Sequence, residues 1–447
     1  MQDLTRTTSR KLALHLIAPL TLLTLLSSLD RVNVSFAALQ MNAQLGLTPE
    51  RYGFGVGLFF FGYLLFQFPH TFLLRRFGAR RWVFGAVVSW GGVALAMALM
   101  RNAGHFYALR VLLGVAESGF APGIVIMMSQ WVPERLRASA IAGTMLAVPI
   151  SVILGGPLSG WLMTANFRFS LPGWRFMFLV EGCLTVLVGL VAPLMFRDEP
   201  GKAAWLSHEE KNWLLAELDR DRARGLASAA ASSAPHEIFG ARPARVWAAA
   251  GVYFTLMAAA YGIMFWLPQV IKQISGKGDF ESSALSALPW IGLGAGLLSN
   301  AWHSDRTQER YWHIGLPAIL AACSFAFGTK VGGGWVPLLC LVLGGFGLGG
   351  AQGAFWALPT SFLEPAAAVR GITLINLIGN FAGLLTPSAI GWIRARTGSF
   401  QAPVDALATV LAIGSILLVP IRRLDPLGAA SQRRSPAIGQ TDQLTTK

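Results

Sequence analysis

The sequence predicts an all-α integral membrane protein with twelve transmembrane helices in two pseudo-symmetric six-helix halves. Three observations carry that prediction. Hydrophobic residues make up 54% of the chain and charged residues 13%, against about 25% charged in a soluble domain. The apolar runs are about 20 residues long, the length of a spanning helix, and lack the alternation of barrel strands. Finally, the chain repeats itself. Arg76, Arg80 and Trp82 in RRFGARRW match Arg306, Arg310 and Trp312 in DRTQERYW at a constant offset (306 − 76, 310 − 80, 312 − 82). Trp161 and Trp392, then Arg137 and Arg370, follow in the same order. Repeated halves around a shared site are a transporter architecture.

In chain order, six spans are expected near 14–38, 52–74, 82–101, 105–130, 138–163 and 174–196. Six more are expected near 246–272, 283–302, 313–330, 334–358, 369–393 and 402–421. The first follows Arg10 and Lys11, is full length and has no small-residue cleavage site, so it reads as a span and not a signal peptide. The N-terminal half is assigned to 1–196, a cytoplasmic linker to 197–245, the C-terminal half to 246–425 and a disordered cytoplasmic tail to 426–447. Arg6, Arg10, Lys11, the 75–81 arginines, Arg135, Arg137, Arg422 and Arg423 all fall on one side. Cytoplasmic positive charge then places both termini in the cytoplasm, and a bacterial inner (plasma) membrane is expected. In the linker, Ser207 and Glu210 form a capping box. Trp213, Leu214 and Leu218 give the helix that follows one apolar face, and LASAAASSAPHE reads as a small-residue tether.

Several function classes drop out. The net charge is +14, yet the basic residues sit in short loops and no basic stripe with interleaved aromatics suggests nucleic acid. Cys183, Cys323 and Cys340 lie far apart in apolar segments. His15, His70, His303 and His313 fall near span ends without ligand spacing, so snorkelling explains them. No metal and no cofactor is expected. No GxxxxGK[ST] loop is present, and GLGAG at 292–296 lies inside a span. No nucleophile–base pair suggests an enzyme.

The strongest functional signal is four charges in two apolar spans: Asp30 and Arg31 in the first, Arg110 and Glu117 in the fourth. Ionisable groups at membrane depth are costly and usually line a pathway or relay. Arg110 and Glu117, seven residues apart, share a helix face about 10 Å apart along the axis, with Gly114 between them. Asp30 and Arg31 point about 100° apart, so one can face a partner helix and the other a cavity. A guanidinium grips a carboxylate through two parallel hydrogen bonds, so Arg31 and Arg110 are assigned to substrate. Asp30 and Glu117 are assigned to proton coupling. The competing reading is permanent structural ion pairs, Asp30–Arg31 and Arg110–Glu117. Tyr63 is a further substrate-facing candidate. Asn33, Gln352 and Asn380 rank lower, and Glu181 reads as a helix-packing acid.

FLLRRFGARRW and RVLLG resemble the loop signature and fourth-span arginine motif of the major facilitator superfamily. SLDRVNVSFAA, RVLLGVAESGFAPG, GGPLSGWL, FWLPQVI, HSDRTQERYWH, FWALPTSFLEP and INLIGNFAGLLTP are similar to its anion:cation symporter branch. Within that branch they resemble tartrate, phthalate and 4-hydroxyphenylacetate permeases. The resemblance implies import of a small organic anion (tartrate-like, sugar-acid or aromatic carboxylate) with protons, by alternating access; a monomer is expected. It implies proton coupling at Asp30 and Glu117, substrate binding at Arg31, and further substrate contacts at Trp356 and Asn376. The alternative is a proton-coupled exporter or antiporter of drugs or metabolites on the same fold. Two positions depart from the pattern. Arg75 stands in the place of the loop acid, which the second half keeps as Asp305, and Arg370 stands where a small residue is common.

Overall fold

The structure is a computed structural model describing residues 2–165, 170–231, 243–332, 334–363 and 365–423. The segment expected to form a tail, 426–447, and part of the tether lie outside the described residues. Among these, twelve helices are long and apolar enough to cross a membrane. They are α1 (Leu4–Leu45), α2 (Pro49–His70), α3 (Phe72–Leu99), α4 (Ala103–Trp131), α5 (Glu134–Thr164), α6 (Gly173–Met195), α7 (Pro243–Ser275), α8 (Asp279–Thr307), α9 (Tyr311–Gly328), α10 (Trp335–Phe362), α11 (Arg370–Thr397) and α12 (Gln401–Arg422).

Local sequence sets the helix ends. α1 is longer than expected because nothing breaks it before Gly46, which takes the left-handed conformation at φ 62°. Thr48 caps α2 by accepting from the Arg51 N–H at 3.2 Å, with Pro49 in the first turn. Asn102 caps α4 from the His105 N–H at 3.0 Å. Near the start of α3 the helix breaks and the chain turns at Gly78, φ 78°. The carboxylate serving this turn comes from beyond α6: Asp198 accepts from the Arg80 N–H at 3.0 Å. In the second half the equivalent loop uses its own acid, Asp305, paired with Arg310 at 2.7 Å.

Each half is held by the same glycine contacts. A Cβ on Gly62 would lie 2.4 Å from the Val111 carbonyl oxygen, and one on Gly114 1.9 Å from that of Phe59. Gly292 meets Val342 at 2.4 Å and Gly345 meets Pro289 at 2.2 Å in the second half. These are the same two contacts carried over by the repeat. Small residues let membrane helices approach until backbones touch. Gly114→Ala is therefore expected to force α2 and α4 apart and destabilise the protein by about 1–3 kcal/mol. Thermal unfolding in detergent checks this, with Gly85→Ala as control, since a Cβ there meets nothing within 4 Å.

Several contacts between the halves lie on the side away from the linker. Gln40 donates to Asp279 at 2.9 Å, and Arg396 pairs with Glu50 at 3.2 Å. Tyr52 Oη donates to the Phe265 carbonyl at 2.8 Å. Gly53 faces the Pro387 carbonyl, and Gly156 that of Ser283. The molecule is thus sealed on the far side of the membrane.

On the linker side, a helix over His208–Ala231 packs on the first half. Ser207 and Glu210 cap it reciprocally, at 2.7 and 3.2 Å. Leu214 and Leu218 are buried. Lys11 pairs with Glu210 at 2.7 Å, Asp221 accepts from the Glu134 N–H at 2.7 Å, and Trp205 stacks on His15 and Trp131. Burial works against the Glu210 charge. The hydrogen bonds from Lys11 and Ser207 outweigh it and hold the carboxyl below its usual value. The contribution is therefore present above the ordinary glutamate pKa near 4.3 and is lost as pH falls through the lowered folded value. Lys11 is 37% exposed, so the pair contributes about 1 kcal/mol at most. Hydrogen exchange of 208–224, corrected for intrinsic rate, is expected to stay unchanged from pH 7 to 5 and to quicken at lower pH. Glu210→Gln, which keeps the cap but not the ion pair, is expected to show the faster exchange already at pH 7.

Candidate functional site

α1, α2, α4 and α6 bring the predicted charges together at membrane depth, and their partners differ from either expected pairing. Arg31 does not pair with Asp30, nor Arg110 with Glu117. Arg31 crosses from α1 to α4, where its Nη2 and Nε donate to Glu117 Oε2 at 2.9 and 3.3 Å. Ser27, one helical turn before Arg31, donates to the same oxygen at 3.2 Å. Glu117 is fully buried, while the Arg31 side chain is 22% exposed. The pair is thus accessible from the arginine side. The helix bends immediately after Glu117, at Ser118–Gly119.

Asp30 points the other way. Its Oδ2 accepts from Thr185 of α6 at 2.8 Å, and its buried Oδ1 has no hydrogen-bond partner among the described residues. Glu181, one turn before Thr185, accepts from Ser159 of α5 at 2.7 Å. Asn33 is fully buried nearby on α1. The first half thus holds a second acidic pair, Asp30 and Glu181, served by hydroxyls and not by arginine.

Arg110 is fully buried, and none of its three guanidinium nitrogens has a hydrogen-bond partner among the described residues. Its guanidinium carbon lies 4.9 Å from the Phe59 ring centre and 5.9 Å from that of Phe265 across the seam. Arg31 lies over the same Phe59 ring at 5.0 Å and over Tyr63 at 5.2 Å. Two guanidinium groups therefore share one aromatic ring, which supplies cation–π attraction but no anion. Tyr63 is 6% exposed and stacks on Phe59.

The second half contributes aromatic and amide groups. Trp356 stands at the break in α10, its ring 4.8 Å from Tyr253 of α7. Asn376 and Asn380 sit one turn apart on α11, with Asn380 Nδ2 donating to Asn376 Oδ1 at 3.2 Å. Tyr261 Oη donates to Asn380 Oδ1 at 2.9 Å and its ring packs on Phe60 of α2. This links the amides to the helix that carries Phe59 and Tyr63. Arg370 is exposed at the start of α11, away from these groups, and Arg75 is exposed in its loop.

Sequence reasoning missed Ser27, Phe59, Thr185 and Tyr261. A signal existed for two of them: Ser27 and Phe59 precede Arg31 and Tyr63 by four residues, which puts each pair on one helix face. His303 and His313 are corrected too. They do meet, Nδ1 to Nε2 at 2.6 Å, with Glu309 on the other His313 nitrogen at 3.0 Å. The antiparallel return of α9 on α8 brings them together. Among the described residues no group of three or more His, Cys, Asp or Glu could hold a metal.

A family model described as Major Facilitator Superfamily matches residues 20–387. A protein of Agrobacterium vitis named as a tartrate transporter is 40% identical over 95% of this chain and 96% of its own length. A protein of Acinetobacter baumannii named as a quinolone resistance transporter is 36% identical over 93% of this chain and 95% of its own. The structure of a bacterial homologue of the human lysosomal transporter Spinster superposes with a TM-score of 0.75 at 16% identity, covering 91% of this chain and 96% of that one.

Proposed function

Because the chain belongs to the Major Facilitator Superfamily and is a multi-pass membrane transporter and not an enzyme, we propose that it imports a small organic anion together with protons across a bacterial inner membrane. The cargo class is tartrate-like, sugar-acid or aromatic carboxylate. The linker and both termini are cytoplasmic, so the state described is closed to the periplasm. The working unit is the monomer.

One observation carries this reading: Arg31 is held by Glu117 while Arg110, on the same Phe59 ring, has no hydrogen-bond partner among the described residues. A proton on Glu117 neutralises the charge that holds Arg31, and the guanidinium is then released to a substrate carboxylate. Arg110 lies under the periplasmic seam and is uncovered when the seam opens. Two guanidinium groups suit an anion with two acidic or acid-and-hydroxyl ends, consistent with the name of the Agrobacterium relative. Tyr63, Trp356, Asn376 and Asn380 supply hydrogen bonds and stacking for the rest of the cargo. Asp30 titrates apart from the cargo, against Thr185.

The test is uptake by proteoliposomes under an imposed inward proton gradient, with labelled tartrate, a sugar acid, phthalate and 4-hydroxyphenylacetate. Accumulation of one of them that a protonophore collapses is the expected result. Asp30→Asn is expected to remove that accumulation while leaving the protein in the membrane. If Asp30→Asn still concentrates substrate, Asp30 is not a proton carrier.

The Acinetobacter relative favours a second reading, export of a drug by proton exchange. A quinolone also carries a carboxylate, so the arginines fit either cargo and the direction of flux separates them. Quinolone resistance on expression, with no gradient-driven uptake of any acid, would replace import by export.

A further inference from the structure

On the linker side of the first half, α2, α3 and α4 leave an open groove of 480 Å³. Its walls are apolar: Leu73, Phe77, Trp82, Ala86 and Leu112 line it. Leu73, Phe77 and Leu112 are large exposed hydrophobics on spanning helices, a surface that belongs against hydrocarbon. The volume is within the range of about 300–1,000 Å³ typical of sites that enclose a small ligand. At one end stands Arg81, exposed and without an ion pair or hydrogen bond among the described residues. The loop around it also carries Arg75, Arg76 and Arg80. The carboxylate at this loop, Asp198, is turned to Gly78 and the Arg80 N–H.

The internal repeat supplies a comparison. The second half leaves a groove of 440 Å³ lined by Asn300, His303 and Phe346, the counterparts of His70, Leu73 and Val115 (300 − 70, 303 − 73, 346 − 115, the last at the offset of Gly114 and Gly345). The counterpart of Arg81 there is Tyr311. The fold therefore makes the groove in both halves, and the sequence places an exposed cation at the mouth of the first.

We propose that the α2–α3–α4 groove binds an anionic phospholipid, with one acyl chain along the apolar walls and the phosphate on Arg81. Basic residues at a membrane surface attract anionic lipids, roughly fivefold in affinity for each Lys or Arg. Apolar length buried in the groove holds the chain. The bilayer around an inner-membrane protein supplies this ligand at high local concentration.

The experiment uses the full chain in nanodiscs with trace spin-labelled phosphatidylglycerol or, separately, phosphatidylcholine. The fraction of motionally restricted label is measured. The wild type is expected to restrict phosphatidylglycerol roughly fivefold more strongly than phosphatidylcholine. Arg81→Gln is expected to bring the two lipids to the same level. Gly85→Leu lines the groove where an added Cβ meets nothing within 4 Å. Leucine there projects into the groove from an unobstructed Cβ and is expected to lower restriction of both lipids. Equal restriction of the two lipids by the wild type would overturn the proposal, as would a preference that survives Arg81→Gln. If Gly85→Leu leaves restriction unchanged, the lipid lies elsewhere. Thermal unfolding of both variants separates lost binding from lost folding.

Discussion

Replacing Glu117 by glutamine is expected to abolish proton-driven accumulation of the anion while exchange of external for internal substrate continues. Glutamine keeps the shape and still accepts from Ser27, so the contact between α1 and α4 survives. What disappears is the charge that holds Arg31 at 2.9 Å. A hydrogen bond to a charged group contributes about 1.5–3 kcal/mol. Releasing Arg31 permanently is therefore expected to tighten carboxylate binding by roughly 10-fold. The site then loads without a proton, and a gradient can no longer drive loading or release. Counterflow of labelled substrate and uptake under an imposed gradient, measured on the same vesicles, separate the two processes. Accumulation in Glu117→Gln equal to that of the wild type would remove Glu117 from the coupling mechanism.

Arg110→Met is expected to stabilise the protein and abolish transport. A fully buried guanidinium without a hydrogen-bonded partner among the described residues is an expense that packing alone would not retain, since charge at membrane depth costs a few kcal/mol even after local adjustment. Methionine fills similar space between Phe59 and Phe265 and needs no partner. A gain of about 1–3 kcal/mol follows, read as a raised Tm in detergent. Losing two parallel guanidinium–carboxylate hydrogen bonds weakens substrate binding by about 100-fold. A structural role for Arg110 gives the opposite sign: stability would fall along with activity.

Much of the architecture was legible because each of its signals is local. Span length follows from apolar composition, and helix ends from Gly46, Thr48, Asn102 and the Ser207–Glu210 box. The repeat appears in residue offsets and returns as matched glycine contacts. The charges of the candidate site were also legible, because ionisable groups inside apolar spans such as α1 and α4 are rare and costly. Their partners were not. Periodicity places Arg110 and Glu117 on one face of α4, but which group arrives opposite depends on how closely α1 and α2 approach. That approach is set by Gly114 against the Phe59 backbone, a contact between segments distant in sequence. The same limit hid Thr185 from Asp30 and His313 from His303. Tertiary proximity decides such pairs, and one chain read alone carries no mark of it.

The position of the linker helix bears on how this chain can be divided. Asp198 completes the turn at Gly78 near the start of α3, while Trp205, Glu210 and Asp221 dock on α1, α4 and the start of α5. Connector by sequence, this segment is by contact a seventh helix of the first half. A gene split, a fused reporter or an engineered protease site therefore belongs after Ala231, where both fragments keep their own packing. A cut directly after α6 would take from the first fragment the linker contacts to Lys11, His15, Trp131 and Glu134.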